Sequence, residues 1–163
     1  MSIKAGDQIP DTIITTMSDS GPNPMRASDY FKGRKVALFS VPGAFTPTCS
    51  ARHLPGFVEQ AEALAAVGIE AIACTAVNDI FVLDAWRKSA GADAIDMLAD
   101  GNGEFVQALG LALDATGFGM GQRGQRFALV ADDGVVSDLF VEDGGEFRVS
   151  SAEYLLGALA KSP

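Results

Sequence analysis

A single α/β domain, with a mixed central sheet and helices on both faces, is what the sequence predicts, and three observations carry the prediction. Through the first two thirds of the chain, short apolar runs alternate with segments whose apolar residues recur at helical spacing. The last third holds two apolar runs joined by Asp132-Asp133-Gly134, a hairpin signal that makes them antiparallel. With 163 residues, 48% of them hydrophobic, and no repeat or biased stretch, one domain spanning residues 1–163 can bury a sizeable core.

Each element has its own signal. Residues 6–16 are strand-like around Ile13 and Ile14, and Gly21-Pro22-Asn23-Pro24 marks a turn. Ser28 and Asp29 are placed to cap a short helix holding Tyr30 and Phe31, which Gly33 stops. Residues 35–41 are apolar on both faces, as a central strand of a covered sheet should be. Residues 50–67 read as one helix with Leu54, Phe57, Val58, Ala61, Leu64 and Ala65 on its apolar face and a kink at Pro55. A second buried strand is expected over 69–77, and Asn78-Asp79 cap a helix over 80–89 that carries Val82, Leu83 and Trp86. A short strand over 95–98 and a short helix over 103–109 complete an alternation that predicts parallel strands. Residues 125–131 and 135–141 are the hairpin strands. The last helix, 151–161, places Tyr154, Leu155, Ala158 and Leu159 on one face and Glu153 near its positive end. A βαβ opening with a ββα ending is the thioredoxin-like plan.

Charge and cysteine usage narrow the function. Twelve Lys and Arg against 21 Asp and Glu leave a net charge of −9, which argues against nucleic acid or an anionic membrane surface as partner. No run reaches the roughly 18 apolar residues of a membrane span, and the first seven residues lack the apolar core of a signal peptide. The expected setting is therefore the reducing cytoplasm, with Cys49 and Cys74 as thiols at rest. Two cysteines 25 residues apart make neither a disulfide framework nor a metal spacing, and no metal or organic cofactor is implied.

Cys49 is where the chemistry concentrates. It follows a strand and a proline-punctuated loop, at the start of the predicted helix, where unpaired N–H groups and the helix dipole favour a thiolate. Thr46 stands where a Cys-x-x-Cys motif would need its first cysteine, so Cys49 has no local dithiol partner. A lone sulfur nucleophile suits a peroxide, whose O–O bond is weak and whose leaving oxygen needs only hydrogen-bond donors. The Thr46 hydroxyl can serve there as donor and acceptor or simply cap the helix, and Pro42 either shields the sulfur or shapes the turn. His53, the only histidine, lies one turn on. It reads as packing or hydrogen bonding, with the general base of a cysteine hydrolase as the alternative. Cys74 reads as an inert buried thiol, with a resolving cysteine as the alternative. Gly119-Met-Gly121-Gln-Arg-Gly124 has the letters of a dinucleotide loop but leads into a strand rather than a helix. The acidic pairs Asp132-Asp133 and Glu142-Asp143 read as solvated turns.

Taken whole, Pro42-Gly-Ala-Phe-Thr46-Pro-Thr-Cys49 resembles the Pro-x-x-x-Thr-x-x-Cys signature of the peroxiredoxins, and residues 41–57 resemble their type II, or atypical, branch. Residues 73–79, Phe81-Val82, Ala85-Trp86, 98–101, 108–111, 123–127, 145–147 and 149–153 extend the likeness over nearly the whole chain. The resemblance implies Cys49 as peroxidatic cysteine, Thr46 as the residue that bonds the peroxide, and Pro42 as its shield. It also makes Arg126, which by position alone reads as a surface residue opening a strand, the arginine that steadies the thiolate; the preceding glycines would let the loop bring it close. Residues 147–153, where some type II relatives carry a resolving cysteine, contain none. That departure points to the plant and bacterial members that use an external thiol. The implied activity is reduction of hydrogen peroxide and small alkyl hydroperoxides in antioxidant defence. Glutathione would be the reducing co-substrate, with glutaredoxin or thioredoxin as protein partner, and the chain would form a homodimer. A hydrolase built on Cys49 and His53 and a non-enzymatic redox sensor or chaperone are the rival readings.

Overall fold

The computed structural model describes residues 2–160. The chain opens with a hairpin of β1 (Ile13–Ser18) and β2 (Gly21–Arg26), followed by α1 (Ala27–Phe31) and β3 (Lys35–Ser40). A π-helical turn (Cys49–His53) runs into α2 (Leu54–Glu59) and α3 (Ala61–Ala66). Then come β4 (Ala71–Ala76), α4 (Ile80–Ser89), β5 (Ile95–Ala99), α5 (Glu104–Leu109), β6 (Ala112–Asp114), β7 (Gln122–Gly124), β8 (Phe127–Asp132), β9 (Val135–Val141) and α6 (Ala152–Ala160). The main sheet has the order β2-β1-β5-β4-β3-β8-β9. Its three middle strands β5, β4 and β3 are parallel, and β8, β9, β1 and β2 join antiparallel.

β3 is central because its side chains are apolar in both directions. Val36 and Leu38 enter one core, Ala37 and Phe39 the other, so the strand is covered on both faces. The start of α4 follows from a short polar side chain. Asp79 accepts a hydrogen bond from the Val82 amide at 2.9 Å and starts α4 as expected. Asp133 and Gly134 both take positive φ, 50° and 79°, the two-residue turn whose twist suits the β8–β9 hairpin.

Several expectations are corrected. Residues 21–24 are not a turn but the start of β2, paired with β1 from Ser18–Gly21 to Ile13–Arg26. Pro22 and Pro24 are tolerated because β2 is an edge strand and residues two apart point their backbone N positions the same way, here outward. β1 lies antiparallel to β5, so only the middle of the sheet is parallel. α1 begins at Ala27 with no side-chain cap; Ser28 lies inside it and donates its hydroxyl to Asp11 at 2.7 Å.

The long helix expected over 50–67 is three pieces. Pro55 lacks the N–H that an α-helical turn would direct to the Ala51 carbonyl, and the turn before it is wide, with the Leu54 N–H bonded to the Cys49 carbonyl five residues back. A second break at Gln60 rotates α3, so Leu64 is buried while Ala65 is exposed. β6 and β7 form a small separate sheet that the glycine-rich sequence did not announce. In α6, Ala152 and Leu155 face the core, whereas Tyr154 is 44% exposed and meets Phe140 edge-on. Residue 161, expected as the end of that helix, lies outside the described residues. Among those residues, no helix is long and apolar enough to cross a membrane.

Candidate active site

The register of the sheet gathers the site. Ser40, the last residue of β3, stands opposite Phe127, the first of β8, so Arg126 lies over the end of β3 where the 41–48 loop departs. Two close approaches there leave little room for a side chain larger than glycine's. A Cβ on Gly124 would stand 3.0 Å from Val106 Cγ2 and 3.2 Å from the Ser40 hydroxyl, and one on Gly43 would stand 3.1 Å from an Arg123 nitrogen. Ser40 Oγ donates to the Gln125 carbonyl at 2.9 Å and holds the chain just before Arg126. Residues 122–124 are strand, not a loop opening a helix, so the dinucleotide reading fails on geometry.

The loop itself is tightly folded. Thr46 donates its hydroxyl to the Gly43 carbonyl at 2.8 Å, and its own carbonyl accepts the Ser50 amide at 2.9 Å, opening the helical turn. The Ala44 amide is held by Asn78 Oδ1 at 2.9 Å. Phe45, between them, adopts a left-handed φ of 65°, uncommon for a bulky residue. Pro42 is half-buried, and Arg123 braces the loop by donating to the carbonyls of Met120 at 2.8 Å and Val77 at 3.2 Å, with a longer contact of 3.4 Å to Pro42.

Cys49 is fully buried, and Arg126 Nη2 donates to its Sγ at 3.2 Å. Arg126 Nη1 donates to His53 Nδ1 at 2.8 Å, and His53 Nε2 donates to the Ser150 carbonyl, also at 2.8 Å. A carbonyl only accepts, so the ring proton sits on Nε2 and the Nδ1 lone pair belongs to Arg126. Burial, reinforced by the Arg126 charge and opposed by the bond to Ser150, pushes the His53 pKa down to about 3. The imidazole is neutral with both nitrogens engaged, which removes it as general base for a hydrolase and makes it the support of Arg126. Phe39 stacks on Phe57 at 4.1 Å, and the His53 ring lies 4.8 Å from Phe39 and 4.9 Å from Phe147.

Glu142 is the residue that sequence reasoning misplaced. It is buried rather than solvated, and it lies one residue past the end of the β8–β9 ladder, where its amide donates to the Arg126 carbonyl at 3.0 Å. Its carboxylate turns instead to the 148–150 backbone. Oε2 accepts from the amides of Arg148, Val149 and Ser150 at 2.8, 2.9 and 2.8 Å and from the Ser150 hydroxyl at 2.6 Å. Asp133 is also structural, accepting from the Gly33 amide at 2.7 Å.

Cys74 lies on β4 opposite Phe39, fully buried in the same core as Cys49, and both cysteines are free thiols. Burial first, and Cys49 second, push the Cys74 thiol well above its usual range. No group of three or more metal-ligating side chains occurs among the described residues. The arrangement therefore offers one buried sulfur, one cation on it, and a neutral imidazole fixing that cation.

A model of the Redoxin family matches residues 4–156. Peroxiredoxin-2E of Arabidopsis thaliana, a chloroplast protein, is 48% identical over 97% of this chain and 70% of its own length. Peroxiredoxin-2B of the same plant is 46% identical over 96% of this chain and 98% of its own. Among solved structures, reduced Prx3 of Vibrio vulnificus in complex with hydrogen peroxide superposes with a TM-score of 0.93 at 45% identity, covering 98% of this chain and 97% of that one.

Proposed function

The chain belongs to the peroxiredoxins, within the Redoxin family, as a thiol-dependent peroxidase, and from that premise we propose that Cys49 is the attacking sulfur and that an external thiol regenerates it. The observation that carries the proposal is the 3.2 Å contact between Arg126 Nη2 and Cys49 Sγ, with the guanidinium fixed from behind by neutral His53. The guanidinium stabilises negative charge on the sulfur and lies beside the oxygens on which charge develops during attack.

The Cys49 thiolate attacks the terminal, hydrogen-bearing peroxide oxygen: an S–O bond forms, the O–O bond breaks, and the alkoxide or hydroxide on the other side leaves and takes a proton to become alcohol or water. The sulfur is then a sulfenic acid. The Thr46 hydroxyl has its proton directed at the Gly43 carbonyl, so its lone pairs are open to the O–H of an incoming peroxide. Pro42, within the loop, shields the sulfur from water. Complete burial of Cys49 favours hydrogen peroxide and small alkyl hydroperoxides over bulky ones.

Regeneration follows thiol exchange. A glutathione thiolate attacks the sulfenic sulfur, an S–S bond forms, and the oxygen leaves as water. A second thiol, from glutaredoxin or another glutathione, then attacks the glutathione sulfur and returns Cys49 as thiolate. Thioredoxin is the alternative donor. Support comes from the only other cysteine, Cys74, which is buried and held protonated by its surroundings. The proposal includes a cytoplasmic setting and a homodimer, for which Phe45, 53% exposed beside Thr46, offers an apolar contact.

Mass spectrometry after one equivalent of hydrogen peroxide tests the cycle. Cys49 should gain one oxygen and exchange it for glutathione when that thiol is added, and Cys49→Ser should gain neither. Oxygen on another residue, or a Cys49–Cys74 disulfide, would refute it.

A further inference from the structure

We propose that Glu142 is a positioning residue for the peroxide reaction, acting on Arg126 through the Ser150 carbonyl and His53. The contacts form one unbroken chain. A single carboxylate oxygen collects three successive backbone amides and one hydroxyl between residues 148 and 150. That focus fixes the Ser150 peptide, whose carbonyl takes the Nε2 proton of His53. With Nε2 protonated, Nδ1 is the acceptor that aligns Arg126 Nη1, and alignment of Nη1 sets Nη2 on Cys49 Sγ. The guanidinium is planar and its nitrogens move together, so a tilt at one end is a displacement at the other.

Two further observations favour this role over plain loop anchoring. Glu142 and Arg126 flank the open end of the β8–β9 hairpin, one just after β9 and the other just before β8, with opposite charges, yet among the described residues they form no ion pair. The carboxylate is committed to the loop, which leaves the guanidinium free to serve sulfur and imidazole. The second is that Ser150, like His53 and Cys49, is fully buried, so no solvent is positioned to replace the Ser150 carbonyl as acceptor for Nε2. Phe147, one residue before the clamped stretch, packs on His53 at 4.9 Å and lies 5.9 Å from the Arg126 guanidinium, so loss of the clamp loosens that wall as well.

The inference rests on the assignment of Cys49 and Arg126 to the reaction, and the test separates the two. Glu142→Leu should slow the second-order reaction with hydrogen peroxide by roughly 10- to 100-fold, the scale of a misplacement transmitted from outside the reacting groups. Glu142→Gln, which retains an acceptor oxygen, should recover most of the rate. In an Arg126→Met background, Glu142→Leu should add no further loss, because the group it positions is gone. The lone histidine gives a readout independent of activity: with ¹⁵N-labelled imidazole, wild type should show the pure Nε2–H tautomer and Glu142→Leu a mixture. Should Glu142→Leu fail to fold, Ser150→Ala, which deletes only the 2.6 Å hydroxyl bond, should shift rate and tautomer the same way to a smaller extent. An unchanged rate and tautomer in the variant that folds, or an equal loss with and without Arg126, overturns the inference. Failure of the wild type to oxidise at Cys49 would instead overturn the assignment beneath it.

Discussion

Replacing Arg126 by methionine keeps the length and apolar stem of the side chain and removes its charge and both donors. Unit charges 3.2 Å apart at an effective dielectric near 20 attract by about 5 kcal/mol, an upper bound that desolvation reduces. Hydrogen bonds to charged groups contribute about 1.5–3 kcal/mol in mutational series, and loss of an oxyanion-type donor costs about 2.7–4 kcal/mol in the transition state. A value near 3 kcal/mol corresponds to a rate loss of roughly a hundredfold. The assay is built into the molecule. Trp86 is the only tryptophan, and its Nε1 donates at 3.0 Å to the hydroxyl of Ser50, the neighbour of Cys49, so stopped-flow fluorescence should follow oxidation directly. Arg126→Lys, which keeps the charge without a second nitrogen for His53, should fall between wild type and Arg126→Met. If Arg126→Met reacts within about threefold of wild type, the electrostatic account of the site is wrong.

Three other outcomes are expected. Because His53 titrates near 3 when folded and near 6.5 when unfolded, stability is full above about 6.5 and falls with decreasing pH by up to about 1.4 kcal/mol per unit. Urea unfolding should therefore show wild type losing about 2 kcal/mol more than His53→Gln between pH 7 and pH 5, and equal losses would refute the buried neutral imidazole. Cys74→Ser places a hydroxyl in a fully buried apolar position and should cost about 1–3 kcal/mol in urea unfolding. Glutathione-linked turnover should nonetheless persist, and its loss would make Cys74 a participant. Gly124→Ala should lower the melting temperature by several degrees, since its Cβ would press on Val106 and Ser40 at a cost of about 1–3 kcal/mol. A simultaneous Val106→Ala change should recover part of that loss, and an unchanged melting temperature in the single variant would show that the contact relaxes freely.

What the sequence made legible were features with a local cause. Asp132-Asp133-Gly134 reads as a turn because it ends in Asp-Gly, although Asp132 proves to close β8, and 36–41 reads as a central strand because neither face is polar. Cys49, Thr46 and Pro42 were visible as a contiguous motif, whereas Arg126 came only through the family likeness, since an arginine before a strand carries no mark of what it faces. The misses have physical reasons too. Pro22 and Pro24 punctuate turns far more often than edge strands, and only the sheet order shows that β2 has a free side. The apolar spacing across 54–65 runs straight through the break at Gln60, so periodicity could not locate it. Glu142 was read as solvated because its partners are backbone amides six to eight residues later, a pairing that leaves no side-chain pattern. Arg123 likewise bonds only carbonyl oxygens among the described residues.

Arg126 has no carboxylate within ion-pairing distance among the described residues, so in the proposed reaction the Cys49 thiolate serves as its counterion. Once Cys49 takes up oxygen, that contact changes from an ion pair to a bond charged only on its donor, and a buried cation is left without its counterion. Oxidation should thus load the native state with an electrostatic debt that reduction cancels. The melting curve of the protein becomes a gauge of its own redox state, with the oxidised form giving way first.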